Sequence, residues 1–216
     1  MAVERVHRGF GRNYSGFIKI FSRLSYLLFS AGADFSRLLL DGLRIGPSSR
    51  VLDVGCGVGN LIADIQKKAD SANPGAALFA VDRSWEMIKI ARSRLSAGPR
   101  RVYFVACDAL NLPFKPESFD ISFTVLFLHH LMPEPKIRVL SECRSALKNN
   151  GTIVLMDMDK PDSIIGMVLA FSRRHIPMIS SNCELGLEHF FKAAGLRAKW
   201  HMKKLGIFSY YRLEKL

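Results

Sequence analysis

No apolar run in this chain approaches the roughly 18–20 residues that a membrane-spanning helix requires, although 49% of its 216 residues are hydrophobic. Cysteine is scarce: the four residues Cys56, Cys107, Cys143 and Cys183 are widely scattered and show no metal-ligand spacing, so no metal is expected. No secretory leader precedes them, which implies reduced thiols and a cytoplasmic protein. There is no internal repeat and no low-complexity tract, which argues against a solenoid or a disordered linker. Acidic residues are also in short supply. Against 31 Lys+Arg there are 19 Asp+Glu, a net charge of +12. The excess is uneven: residues 51–160 are nearly balanced, with 14 Lys+Arg and 12 Asp+Glu, whereas residues 1–50 and 161–216 each carry +5. Basic flanks of this kind can meet nucleic acid, an anionic membrane surface or an acidic substrate, or can serve only for solubility.

What is present is an alternation of elements around one stretch, Val51-Leu52-Asp53-Val54-Gly55-Cys56-Gly57-Val58-Gly59-Asn60. An apolar β-branched run, a glycine loop and then the helical pattern Leu61–Ile65 read as strand, tight loop and helix. Gly55 and Gly57 permit positive φ and close backbone approach, and the helix start offers free N–H groups to a polar ligand. Further strands are expected at 77–82, 101–106, 119–125 and 152–157, with helices at about 60–69, 84–96 (Ser84 as N-cap) and 134–147, the last closing at Asn149-Asn150-Gly151 in a left-handed cap. A helical segment at 162–179 follows the fifth strand, then a helix at 184–194. A tight turn at Lys203–Gly206 joins strands at about 196–201 and 207–213 and forces an antiparallel hairpin. Before this pattern stand a loose basic arm (1–13), an amphipathic helix (14–30) and a second helix from Asp34 through Leu43. Residues 1–49 therefore read as an N-terminal arm and helical cap, and 50–216 as an α/β domain with a helical insertion at about 161–180. The fold class is α/β, a Rossmann-like, seven-stranded, mostly parallel sheet with an antiparallel last strand and helices on both faces.

Three acids fall at strand ends on the edge where such sheets bind ligands: Asp53 inside the glycine loop, Asp82 ending the second strand and Asp108 following the third. An acid ending the second strand can accept two hydrogen bonds from a ribose diol. A nicotinamide dinucleotide would fit that feature. The loop itself is Asp-x-Gly-x-Gly-x-Gly rather than Gly-x-Gly-x-x-Gly, and a plain dinucleotide fold lacks the closing hairpin.

Several ordered motifs accompany these acids: Val51–Gly59; Ala80-Val81-Asp82-Arg83-Ser84 with Met87 and Ala91-Arg92; Cys107-Asp108-Ala109 with Leu112-Pro113-Phe114; Ser118-Phe119-Asp120 through Leu128-His129-His130-Leu131; and Arg144, Ala146-Leu147-Lys148 and Asn150-Gly151. On these residues the sequence resembles the class I S-adenosylmethionine-dependent methyltransferases over roughly 50–157. The branch it resembles most is the ubiquinone/menaquinone-biosynthesis-like one. The resemblance implies S-adenosylmethionine as cofactor. It implies that Gly55, Cys56 and Gly57 pass the methionine and ribose moieties along the backbone, and that Asp53 orders the loop and the methionine ammonium. Asp82 would hold the ribose hydroxyls with Arg83 beside the adenine, Asp108 would accept from the adenine amino group next to the Ala109 backbone, and Val125 would face the methionine.

Methyl transfer from a sulfonium needs orientation and exclusion of water more than covalent help, and a base only where the acceptor must lose a proton. His129, His130, Asp157 and Asp159 stand at the edge where an acceptor would sit, and packing or capping roles compete for each, so no catalytic residue is singled out. The apolar, basic flanks suggest a small hydrophobic or lipid-like acceptor, with contact to an anionic membrane as a further option. The quinone enzymes carry Arg-Asn where this chain has His129-His130, which sets it apart from them. Methylation of RNA or protein is the alternative motivated by charge, although no Asn-Pro-Pro-Tyr-type amino-methylation motif is present. A non-catalytic cofactor-binding regulator is a third reading. Nothing in the sequence sets the oligomeric state.

Overall fold

A computed structural model of the chain describes residues 35–72, 75–95, 102–171 and 177–216. The chain divides into two compact units, 1–41 and 42–216. Of the first, the described part is the short helix α1 (Phe35–Leu40). The sequence suggests a longer helix reaching Leu43. It stops early because Gly42 adopts φ +62°, a turn that a helix cannot continue through. The arm and helix expected at 1–30 lie outside the described residues.

The second unit is built on one sheet. Its strands are β1 (Arg50–Val54), β2 (Ala77–Asp82), β3 (Val102–Ala106), β4 (Phe119–Val125), β5 (Leu147–Met158), β6 (Leu196–Lys204) and β7 (Phe208–Lys215), in the spatial order β3-β2-β1-β4-β5-β7-β6. The first five pair in parallel, and β7 lies antiparallel to both β5 and β6. Strand order reverses at β1, so the ends of β1 and β4 open on a crevice, the place where such sheets receive ligands. The helices are α2 (Asn60–Ala72), α3 (Trp85–Leu95), α4 (Pro133–Ala146), α5 (Ile164–Phe171), α6 (Pro177–Leu185) and α7 (Leu187–Ala193).

Alternation along the strands sorts side chains to the two faces. Leu52 and Val54 join a cluster with Val139, Leu140 and Cys143 of α4 and Leu187, Phe190 and Phe191 of α7. Val51 and Asp53 project to the other face. Both faces are buried, so even the polar residues Asp53, Ser122 and Thr124 of the central strands are withdrawn from solvent. Ser84 caps α3 through its Oγ, which accepts the Met87 N–H at 3.4 Å.

Two local expectations fail. The cap expected at Asn149–Gly151 is absent: α4 ends at Ala146, Leu147 is already extended (φ −79°, ψ 139°), and β5 runs straight through the Asn-Asn-Gly stretch. Leu147 pairs with Phe119, and the register shift between Phe119 and Ile121 absorbs the irregularity. Gly151 is required there for space rather than for left-handed conformation, because a Cβ would come within 2.6 Å of Leu147 Cγ and 2.9 Å of the Asp120 carbonyl. The helix expected over 184–194 is broken by Gly186 at φ +79°, giving α6 and α7 as separate pieces.

Candidate functional site

The glycine loop after β1 is held from below. The N–H groups of Gly55 and Cys56 both donate to the Val81 carbonyl, at 2.9 and 3.0 Å, and that of Gly59 donates to the Cys56 carbonyl at 2.9 Å. The three glycines adopt φ of +75°, +52° and +79°, so each is conformationally required, but each does a different job. A Cβ on Gly55 would lie 2.6 Å from the Phe127 ring, and one on Gly59 would lie 2.9 Å from Ala91 Cβ on α3. A Cβ on Gly57 would meet nothing within 4 Å, so on that side the loop can be approached from outside.

Asp53 lies at the end of the central strand β1, with neighbours β2 and β4 on either side, and is 2% exposed. Its Oδ2 has no hydrogen-bond partner. Burial, reinforced by the nearby Asp82, pushes its carboxyl up to about 7. A buried carboxyl oxygen left without a donor stores free energy that a cationic or N–H-bearing ligand would release.

Asp82 ends β2. One oxygen accepts the Gly57 N–H at 2.9 Å and the other the Ser84 N–H at 2.8 Å, so it ties the glycine loop to the start of α3. A carboxylate oxygen can accept more than one bond, which leaves Asp82 capacity for a hydroxyl pair. Asp108 accepts the Leu110 N–H at 3.0 Å, and its other oxygen lies 3.9 Å from Arg83 Nε. Both side chains are largely exposed, so this pair contributes little to stability. Asp108 thus caps its own turn while keeping one oxygen toward the cleft.

An open cleft unites Gly55, Asp82, Arg83, Asp108 and Ala109 with Val81, Cys107, Leu110, Phe127, Leu131 and Val139. Of the residues expected from the sequence, Gly55, Asp82, Arg83, Asp108 and Ala109 therefore share one wall. Asp53, Cys56, Gly57 and Val125 are not among the lining residues. Asp53 is beneath the loop, and Val125 pairs with Met156 in the sheet. Burial, with Asp53 and then Asp82 adding to it, holds the Cys56 thiol far above its ordinary value. Burial with Asp108 and Asp82 lifts Cys107 to about 11. Neither is a thiolate nucleophile.

A second cluster sits one strand further, at the ends of β4 and β5. Asp157 is fully buried. Its Oδ2 accepts the N–H groups of Phe127 at 3.0 Å and His129 at 3.3 Å, and its Oδ1 accepts from the Met158 N–H and from His129 Nδ1, both at 2.8 Å. Burial pushes this carboxyl up, but the His129 ring and these donors outweigh it, so Asp157 lies below the ordinary carboxylate range. As a carboxylate it can only accept, which places a proton on His129 Nδ1, so that the neutral form of the ring is the one with its lone pair on Nε2. The exposed ring of His130 lies against that of His129, with centroids 4.0 Å apart. Asp159 is used differently. It accepts from the Leu187 and Lys160 N–H groups and from the Tyr211 hydroxyl, each at 2.8 Å, and so acts as a buried scaffold between β5, β7 and α7.

Sequence reasoning missed Phe127, Leu131 and Lys136. Phe127 is the ring pressed on Gly55. It follows Leu126, a non-glycine residue at φ +51°, where backbone strain turns the chain out of β4. No local pattern marks that residue. Lys136 lies fully buried in α4, donates to Ser181 Oγ at 2.6 Å and stands 5.0 Å from the Phe190 ring centre. Burial lowers its ammonium to about 8, against an opposing pull from Asp157 and Cys183. Helical spacing gives no hint that a lysine will face inward.

Residues 51–151 match the family model described as a methyltransferase domain. A demethylmenaquinone methyltransferase of Thermotoga maritima is 35% identical over 121 residues, which is 56% of this chain and 48% of that protein. An uncharacterised methyltransferase of Synechocystis sp. is 28% identical over 161 residues, 74% of this chain and 71% of that one. The chain thus spans about half the length of the Thermotoga protein. Among solved structures, a SAM-dependent methyltransferase of Methanosarcina mazei shares the fold with a TM-score of 0.67 at 16% identity, covering 85% of this chain and 100% of its own. Residues 51–151 thus match a methyltransferase domain, the chain is similar to a demethylmenaquinone methyltransferase, and its fold is that of a SAM-dependent methyltransferase, a class whose cofactor is S-adenosylmethionine.

Proposed function

We propose that this protein transfers a methyl group from S-adenosylmethionine to a small, hydrophobic acceptor. The observation that carries the reading is the buried, partnerless Asp53 oxygen beneath a loop whose backbone is open at Gly57. A cofactor with an ammonium group and a ribose diol fits these residues. Asp53 would face the ammonium, Asp82 would accept from the hydroxyls, the Gly55–Gly57 backbone would line the connecting part, and Asp108 with the Ala109 backbone would border the adenine next to Arg83. When bound, S-adenosylmethionine supplies an electrophilic methyl on its sulfonium.

The chain's own residues supply position and dryness. Phe127, Leu131, Leu110 and Val139 give the cleft an apolar wall that excludes water and suits an apolar acceptor. Val125, at the end of β4, would face the methionine part of the cofactor. Where the acceptor must lose a proton, His129 Nε2 would receive it. Asp157, as a positioning residue, would hold the tautomer through Nδ1 and stabilise the imidazolium that results. Asp157 would thereby support the base rather than serve as the base itself. The basic 1–50 and 161–216 flanks would bring the protein to an anionic membrane, where an apolar acceptor resides. The +12 charge also favours a second reading, methylation of RNA or protein.

Titration calorimetry with S-adenosylmethionine tests the first step. Binding is expected for the wild type, with a loss of roughly tenfold or more for Asp82→Ala. Equal binding by both, or none by either, overturns the assignment. A methyl-label transfer screen against lipid, small-molecule and RNA extracts then decides the acceptor class.

A further inference from the structure

The helix α5 is oriented the wrong way round for a water-soluble surface. At about 100° per residue, Ile164, Ile165, Met167 and Val168 cover one arc of roughly 160°, and Gly166 lies diametrically opposite. The glycine faces the protein: a Cβ there would collide with the Gly206 carbonyl in the β6–β7 turn, so only glycine lets the helix seat on that turn. The contact is reinforced by the Asp162 N–H donating to the Gly206 carbonyl at 3.0 Å. Lys203 Nζ also bonds the Lys160 carbonyl at 2.9 Å and pairs with Asp162 at 3.2 Å. The arc of four large apolar side chains points outward instead, each between 53% and 77% exposed, and Leu205 at the turn tip adds a fifth at 60%. A soluble helix normally presents the reverse arrangement.

Charge indicates what covers this face. Around it stand Lys160 and Lys204, while Lys203 and the nearby Asp162 neutralise each other. A cationic rim around a projecting apolar ridge matches an anionic lipid surface, into which such a ridge can insert a few ångströms below the headgroups. We infer that α5 and the Leu205–Gly206 turn form a wedge that docks the protein on an anionic membrane. This deepens the peripheral-membrane part of the function proposed above and does not depend on catalysis.

Flotation of the full chain with phosphatidylcholine vesicles, with and without phosphatidylglycerol, tests it. The wild type is expected to float with the anionic vesicles and weakly with the neutral ones. Ile165→Glu/Val168→Glu replaces two already exposed residues, so folding is unaffected, and vesicle binding should fall by roughly tenfold or more. Lys160→Glu should reduce anionic binding while leaving the neutral background unchanged. Undiminished flotation of the double variant overturns the inference, as does a wild type that floats with neither vesicle. So does a sedimentation-velocity result in which the wild type is a dimer, the double variant a monomer and no vesicle is bound, since the ridge would then meet a second copy. Calorimetry with S-adenosylmethionine on the same double variant should match the wild type. Loss of cofactor binding in every protein would strike the methyltransferase reading alone and leave the flotation result to stand by itself.

Discussion

Replacing Asp53 by Asn should make the cofactor-free protein more stable and its ligand binding worse. Raising a carboxyl from its ordinary 3.8 to about 7 corresponds to at most about 4 kcal/mol opposing ionisation, at roughly 1.4 kcal/mol per pH unit. The sign follows from the direction. The folded protein prefers this group protonated, so stability is greatest below the unfolded value, falls as pH rises through the window from about 4 to 7, and is level above it. The Asn variant carries no such charge. Setting aside about 1–2 kcal/mol for an amide N–H left without a partner, it should be about 2–3 kcal/mol more stable than the wild type at pH 8 and no better at pH 4. Urea unfolding across that range measures the difference directly. Calorimetry with S-adenosylmethionine at pH 7, in buffers of different ionisation enthalpy, gives the second reading: the wild type should release about half a proton as the ligand ammonium drives Asp53 to its charged form, and the variant none. Parallel stability curves for the two proteins, with Asn no more stable at pH 8, would refute the claim that this carboxyl is held ready for a cation.

The glycines of the loop should separate cleanly. Gly57→Ala meets only a strained φ and should cost about 1 kcal/mol of stability while weakening cofactor binding, whereas Gly55→Ala drives a methyl into the Phe127 ring and should cost considerably more. Thermal melts beside cofactor titrations decide this, and unchanged affinity for Gly57→Ala would show that the loop backbone is not approached there. Asp157, held below its ordinary range, contributes stability that is present above about pH 4 and lost as pH falls further. His129→Ala should shrink that acid limb and cost about 2 kcal/mol at pH 7, less than for a fully orphaned charge because the Phe127 and Met158 N–H groups remain. An unchanged acid limb in unfolding experiments would show that the ring does not stabilise the carboxylate.

The parallel strands were legible because strands buried on both faces are rich in apolar and β-branched residues, as in Val51–Val54, interrupted only by Asp53, and Ile153–Met156, and because helical patterns alternate with them. The hairpin was legible because Lys203–Gly206 is too short to connect anything but antiparallel neighbours. Asn149-Asn150-Gly151 misled because its composition is that of a helix cap, while pairing of Leu147 with Phe119 had already committed the backbone to the sheet. Tertiary pairing outweighs a cap preference worth about 1 kcal/mol or less. At the site, Asp82 and Asp108 could be placed on the ligand edge by counting strands. Their present partners, the N–H groups of Gly57, Ser84 and Leu110, depend on loop geometry that spacing does not encode. Phe127 and Lys136 were invisible for the same reason: each owes its place to the segment packed against it rather than to its neighbours in the chain.

The sheet order has a consequence for how the molecule is made. β7 leaves the ribosome after β6 and yet lies between β6 and β5. When β6 first emerges it has no strand to join, and β5 has a bare edge. The nascent domain can assemble its cofactor half early, around β1 to β5, but must keep that edge unpaired until β7 arrives to bridge it. Synthesis therefore passes through a stage with an open, apolar sheet edge, the kind of surface that holdase chaperones cover and that pairs with the wrong chain when translation stalls.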